Sequence, residues 1–167
     1  MAAYQNGGKT LLISYGRIFS EVRAAAKLLA ESKKPVDLLK LCRIAPLPEE
    51  CIRLARKYET IYFVEEGVRN GGIGEHFLGA LAQVRYRGRM TIHAVDDPFV
   101  PQMSVQSAIR RCGFDAKAIA KAVGECYVWN DLKITVRPLH RGRPVIGGRC
   151  EKEAGYPAYR KGVFPEP

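Results

Sequence analysis

"TIYFVEEGVRNGGIGEHFLGALAQV" (residues 60–84) decides the fold. Its opening, "TIYFVE" (60–65), is β-branched and aromatic up to an acidic end, the composition of a buried strand. Its close, "GEHFLGALAQV", reads as a helix by pattern. Between them lie Glu65, Glu66, Gly67, Arg69, Gly71, Gly72 and Gly74, with His76 just inside the helix. A strand that feeds a helix through a glycine-rich turn is the unit of an alternating α/β sheet. The turn itself has two readings: a phosphate cradle, or a crowded junction.

The same alternation extends on both sides. "KTLLISY" (9–15) is an apolar strand ending at Gly16, and Ile18, Val22, Ala25 and Leu29 then recur at helical spacing up to Ser32. "KKP" closes that helix, because a proline disfavours helical geometry in the residue before it. "VDLLKL" (36–41) is the next strand. In "RIAPLPEECIRLARKY", Pro48 suits a first helical turn, and Glu49 and Glu50 complement the helix dipole. "RMTIHAV" (89–95) is another strand, and Ser104 and Asp115 are N-cap candidates for two further helices parted by Gly113. The order predicts a three-layer α/β/α sandwich around a mostly parallel, mixed sheet with right-handed crossovers, complete within residues 1–125.

Past residue 125 the pattern changes. "CYVWNDLKITV" offers a hairpin across Asn130-Asp131, and the rest is rich in Pro, Gly and Arg without sustained period. Residues 126–167 are therefore expected to form a basic, poorly ordered extension. The net charge of +10 is uneven, and this last quarter holds eight Lys+Arg against four Asp+Glu. Arg137, Arg141, Arg143 and Arg149 invite a nucleic-acid reading, but aromatics at a stacking spacing are not interleaved with them, which argues against it. No apolar run approaches the roughly 20 residues of a membrane span, and the opening "MAAYQNGGKT" lacks a secretory core. The expectation is a soluble, cytoplasmic protein. Cys42, Cys51, Cys112, Cys126 and Cys150 are scattered without a CxxC pair, which points away from disulfides and zinc. Cys42 and Cys112 read as buried small hydrophobes.

Gly71, Gly72 and Gly74 at a strand-to-helix turn offer backbone N–H groups to an anion, and Arg69 adds a charge. A P-loop, however, needs Lys-Ser/Thr after its last glycine, and here Glu75-His76 follows. Glu65 and Glu66 are neighbours on a strand and so point to opposite faces. One of them is expected to organise the turn's N–H groups, and the other to meet solvent or a partner. His76 is expected to pack or cap. The residues alone define a partner- or ligand-facing loop made of Glu65, Glu66, Gly67, Arg69, Gly71, Gly72, Gly74 and His76. No catalytic or metal-binding residue is assigned.

"ISYGRIFSEVRAAAKLL", "VDLLKLCRIAPLPEECI", "IYFVEEGVRNGGIGEHF" and "DDPFVPQMSVQSAIRRCGFDAKAIAKAV" together resemble, in order and spacing, a known domain. It is the C-terminal domain of transketolase-like, thiamine-diphosphate-dependent enzymes, and within them of 1-deoxy-D-xylulose-5-phosphate synthase. Glu65-Glu66-Gly67, Gly71-Gly72-Ile73-Gly74 and Asp97-Pro98-Phe99-Val100-Pro101 carry the resemblance, which covers about residues 9–124. It departs at Gln102-Met103-Ser104, where the synthase commonly has His-Gly-Ser, and throughout residues 126–167. The resemblance implies the third domain of an enzyme that condenses pyruvate with glyceraldehyde 3-phosphate in isoprenoid precursor synthesis. It also implies that thiamine diphosphate and magnesium lie between the first two domains, on a Gly-Asp-Gly segment that this sequence lacks. No cofactor is then bound by this chain alone. Its implied role is assembly and shaping of the active-site rim, with the cofactor-binding domains as partners and a homodimer in the family setting. The alternatives are a non-catalytic subunit of a split transketolase-like enzyme and, behind it, a basic nucleic-acid-binding domain.

Overall fold

The structure, a computed structural model, describes residues 1–96 and 99–131, the last six by their backbone alone. Asp97-Pro98 and residues 132–167, with the four tail arginines and the second half of the expected hairpin, lie outside the described residues.

Five strands form one mixed sheet in the order β1-β3-β2-β4-β5. They are β1 (Ala2–Tyr4), β2 (Thr10–Tyr15), β3 (Asp37–Leu41), β4 (Thr60–Val68) and β5 (Arg89–Val95). β2, β3, β4 and β5 run parallel, and β1 is antiparallel against β3, pairing Ala2 with Lys40. A parallel sheet of this kind is covered on both faces, so its strands read as apolar runs. β2 follows that rule, with Leu11, Leu12 and Ile13 all fully buried.

Strand alternation sorts the core into two halves. On one face Leu12, Leu38, Tyr62 and Val64 meet α1 (Phe19–Glu31), α4 (Val105–Arg111) and α5 (Ala116–Asp131). On the other, Leu11, Ile13, Leu39, Ile61 and Phe63 meet α2 (Glu49–Ala55) and α3 (Ile73–Gln83). This is the expected α/β/α sandwich. Phe63 and Phe77, fully buried with ring centroids 5.5 Å apart, fix α3 against β4. Removing either ring would cost about 3–5 kcal/mol.

The caps follow their chemistry. Ser104 accepts from the Ser107 N–H at 3.2 Å, and Asp115 accepts from the N–H groups of Lys117 and Ala118. Glu21 of α1 adds a long-range cap, accepting from the Ala116 N–H at 3.0 Å, which ties the start of α5 to α1. Pro48 stands as the N-cap of α2, one position ahead of its first turn.

Three expectations are corrected. β1 went unread, because its three residues are largely exposed and owe their conformation to the free edge of β3. The hairpin across Asn130-Asp131 is absent, since α5 continues through Asp131. Once nucleated on a packed face, a helix extends at one hydrogen bond per residue, and local β-preference in "CYVW" does not stop it. Among the cysteines whose side chains are described, Cys51 is the fully buried thiol, whereas Cys42 is exposed just past β3 and Cys112 is half-buried. Burial pushes the Cys51 thiol pKa up.

Candidate functional site

The glycine-rich turn lies at the carboxyl edge of the parallel strands, where open α/β sheets place their ligands. β4 runs three residues past Glu65, and its register against β5 shifts between Val64 and Val68. Glu65 lies on the α2/α3 face, only 1% exposed. Its carboxylate accepts from the Ile73 N–H at 2.9 Å, the Gly74 N–H at 3.1 Å and the Tyr15 hydroxyl at 3.2 Å. Burial, then the negative charge of Glu65, pushes the Tyr15 pKa up to about 12. A buried carboxylate needs such partners, because leaving one unpaired costs several kcal/mol. Glu65 is thus the glutamate that organises the turn.

Glu66 takes the opposite face. It receives both ends of the Arg17 guanidinium, with Nε at 2.7 Å, and braces the turn against the 3-10 segment Gly16–Ile18 that leads into α1. Arg69 is not held out to a ligand. It forms a two-pronged pair with Asp96 at 2.5 and 2.9 Å, and its own N–H donates to the Val95 carbonyl. The guanidinium holds the Asp96 carboxyl below its usual range.

The backbone donors of the turn are taken in sequence. The Gly71 N–H goes to Glu75 at 2.7 Å, the Gly72 N–H to the Arg69 carbonyl at 3.0 Å, and those of Ile73 and Gly74 to Glu65. The glycines serve this closure in two ways. Gly71 has φ +74°, a left-handed conformation that other residues adopt with strain. Gly72 and Gly74 have ordinary angles but no room. A Cβ on Gly72 would stand 2.6 Å from Glu65 Oε1 and 2.7 Å from the Val68 carbonyl oxygen. On Gly74 it would stand 2.8 Å from Ile92 Cγ2 and 2.9 Å from Glu65 Oε1. A Cβ on Gly67 would stand 3.9 Å from the Tyr15 hydroxyl, an ordinary contact.

His76 neither packs nor caps, contrary to expectation; it is exposed. The buried positions of α3 are Gly74, Phe77 and Leu81, and His76 falls off that stripe. The histidine with a built environment is His93, on β5. Its Nδ1 accepts from the Tyr62 hydroxyl at 3.0 Å and its Nε2 donates to the Cys112 carbonyl at 3.4 Å. Burial lowers its pKa, and the Cys112 bond only partly opposes this. Both ring nitrogens are engaged, so His93 is a satisfied, half-buried residue.

These residues do not fit a magnesium diphosphate. The turn's N–H groups already serve the carboxylates of Glu65 and Glu75 and the Arg69 carbonyl, and the Glu65 carboxylate is buried beside them. Among the described residues, no group of three His, Cys, Asp or Glu could hold a metal, and every buried side-chain polar atom has a partner. Beside these charged pairs, the carboxyl edge exposes Val68 at 62%, the last residue of β4, and Phe99 at 74% and Ile44 at 38%, on the segments following β5 and β3. Sequence reading missed Tyr15, Arg17 and Asp96, which lie 50, 49 and 27 residues from their partners and carry no local signal.

A doubly covered sheet with this strand order and a carboxylate-braced turn at its carboxyl edge has counterparts among known proteins. The sequence profile of the transketolase C-terminal domain matches residues 2–119, and the chain belongs to that family. Its curated relatives are more particular. The 1-deoxy-D-xylulose-5-phosphate synthase of Parabacteroides distasonis is 30% identical over 118 residues, covering 70% of this chain and 19% of that enzyme. The synthase of Treponema pallidum is 33% identical over 118 residues, with the same coverage. The chain therefore spans about one fifth of the length of the curated relatives it matches. Among solved structures, a split-gene transketolase, described as an inactive beta4 tetramer, superposes with a TM-score of 0.65 at 20% identity. That match covers 74% of this chain and 41% of the other, and it shows the shared fold. No helix among the described residues is long and apolar enough to cross a membrane.

Proposed function

We propose that this chain is the C-terminal domain of a 1-deoxy-D-xylulose-5-phosphate synthase, serving assembly and the rim of the active site and not performing the chemistry itself. The whole enzyme's reaction is the thiamine-diphosphate-dependent condensation of pyruvate with glyceraldehyde 3-phosphate. The observation that carries this reading is the closed shell around Glu65: the turn spends its donors on the chain's own carboxylates and one backbone carbonyl. A turn built so holds a surface in place. The surface it holds offers Val68, Phe99 and the Arg17–Glu66 pair to the cofactor-binding domains, in cis or in a second subunit. The cofactor then belongs to those domains, and the setting is the cytoplasm.

A second reading, a non-catalytic subunit of a split transketolase-like enzyme, draws on the split-gene structural neighbour. Both readings give this chain the same kind of partner.

The test is calorimetric titration of the chain with thiamine diphosphate and magnesium, followed by pull-down of a polypeptide carrying the two cofactor-binding domains of a synthase. No saturable heat in the first and a stoichiometric complex in the second are expected. Micromolar cofactor binding by the chain alone would overturn the proposal, as would failure to bind the cofactor domains.

A further inference from the structure

The opposite edge of the sheet carries a second feature. There β4 and β5 begin and α2 and α3 end, around a cleft of ≈ 710 Å³. Arg56 and Lys57 line one wall, and Arg87 and Arg89 the other, with Gly88 between them. All four cations are exposed. Among the described residues the ion pairs are Lys9–Glu59, Arg17–Glu66 and Arg69–Asp96, so none of these four has a carboxylate partner. The carboxylate in the cleft, Glu59, is engaged by Lys9 at 3.4 Å.

Helix ends attract cations through the dipole, an effect that falls off within the last turn. It covers Arg56 and Lys57, directly after α2, but not Arg87 and Arg89, which lie past the end of α3 at Gln83. The last carbonyls of α2 and α3 already accept backbone N–H groups, from Arg56, Lys57 and Tyr58 in one case and Arg85 and Tyr86 in the other. The floor of the cleft is fixed: the Tyr86 hydroxyl donates to the Tyr58 carbonyl at 3.0 Å, and the Tyr58 hydroxyl to Asp37 at 2.6 Å. A fixed floor flanked on two sides by guanidinium groups that have no carboxylate partner among the described residues forms a receptor for negative charge, and the arginine fork matches phosphate oxygens.

We infer that this cleft binds a small polyanion carrying three or more linked phosphate groups, whose charge four cations match and a magnesium-neutralised diphosphate does not. Its volume lies in the range of small-molecule sites. Both tyrosines pack against the core and have their hydroxyls engaged, which leaves no stacking platform of the kind single-stranded nucleic acid uses. The inference concerns a surface at the far edge from the glycine-rich turn and stands apart from the proposed function.

The experiment titrates the full 167-residue chain with inorganic tripolyphosphate, and separately with a nucleoside triphosphate, near physiological ionic strength. Saturable binding is expected to weaken on the order of tenfold or more in Arg87→Gln/Arg89→Gln. The same loss is expected in Arg56→Gln/Lys57→Gln on the facing wall, with circular dichroism confirming that both variants fold. Matched controls, Lys27→Gln/Arg110→Gln and Arg141→Gln/Arg143→Gln, are expected to bind like the parent. Tripolyphosphate binding equal to that of the nucleotide assigns recognition to the phosphates; binding of the nucleotide alone, lost in both cleft variants, adds a contact to its base. An absence of binding to the parent chain overturns the inference, as does equal weakening in the controls. So does a single-stranded oligonucleotide that binds more tightly than either probe through the same residues, which would make this face a nucleic-acid surface.

Discussion

Replacing Glu65 by glutamine changes one oxygen of a buried carboxylate into an amide and alters little in shape. The geometry nonetheless makes it costly. Oε2 accepts two hydrogen bonds, from Ile73 and Tyr15, and Oε1 accepts one from Gly74. If the amide oxygen takes the Oε2 position, the new NH2 group faces the Gly74 N–H, donor against donor. A buried donor left unsatisfied costs about 1–3 kcal/mol. The two surviving bonds also lose their charge assistance, roughly 0.5–1 kcal/mol each. The expected destabilisation of Glu65→Gln is about 2–5 kcal/mol, in guanidinium or urea denaturation with the slope unchanged. Tyr15→Phe removes only one neutral donor and should cost about 1 kcal/mol. Glu66→Gln breaks an exposed pair and should cost less than about 1 kcal/mol. If Glu65→Gln proves no more destabilising than Glu66→Gln, the carboxylate does not organise the turn, and the reasoning built on it fails.

Gly72→Ala should destabilise by roughly 1–3 kcal/mol, because its Cβ meets a backbone oxygen and Glu65. Gly71→Ala should cost only about 1 kcal/mol, since it has strain but open space; thermal denaturation of the two variants compares them directly. Burial depresses the folded pKa of His93 below its unfolded value, so the unfolded chain binds the extra proton. Its contribution is full above about pH 6.5 and is lost as pH falls through the depressed value; a flatter acid limb in His93→Gln is the check. Tyr15 works at the other end of the scale. Its contribution is full below about pH 10 and is lost as pH rises toward its folded value of about 12, so Tyr15→Phe should show a shallower alkaline decline.

The sequence by itself determined the alternation of strands and helices, the two helix caps at Ser104 and Asp115, and the position of the glycine-rich turn. Those features are local. Apolar periodicity, capping side chains and glycine placement act within a few residues and leave a readable pattern. Strand alternation even implied that Glu65 and Glu66 must diverge. It could not say which way, because that depends on which face α3 covers. The tertiary structure alone decided that Tyr15 donates to Glu65, that Arg17 claims Glu66, and that Arg69 is spent on Asp96. It also separated the glycines, assigning strain to Gly71 and close approach to Gly72 and Gly74. The cleft between Arg56 and Arg89 was likewise invisible, since its walls come from segments about thirty residues apart that meet only when β4 and β5 pair. Charge partners and cavities form between distant segments, and no local pattern in the chain encodes a distance that folding has yet to create.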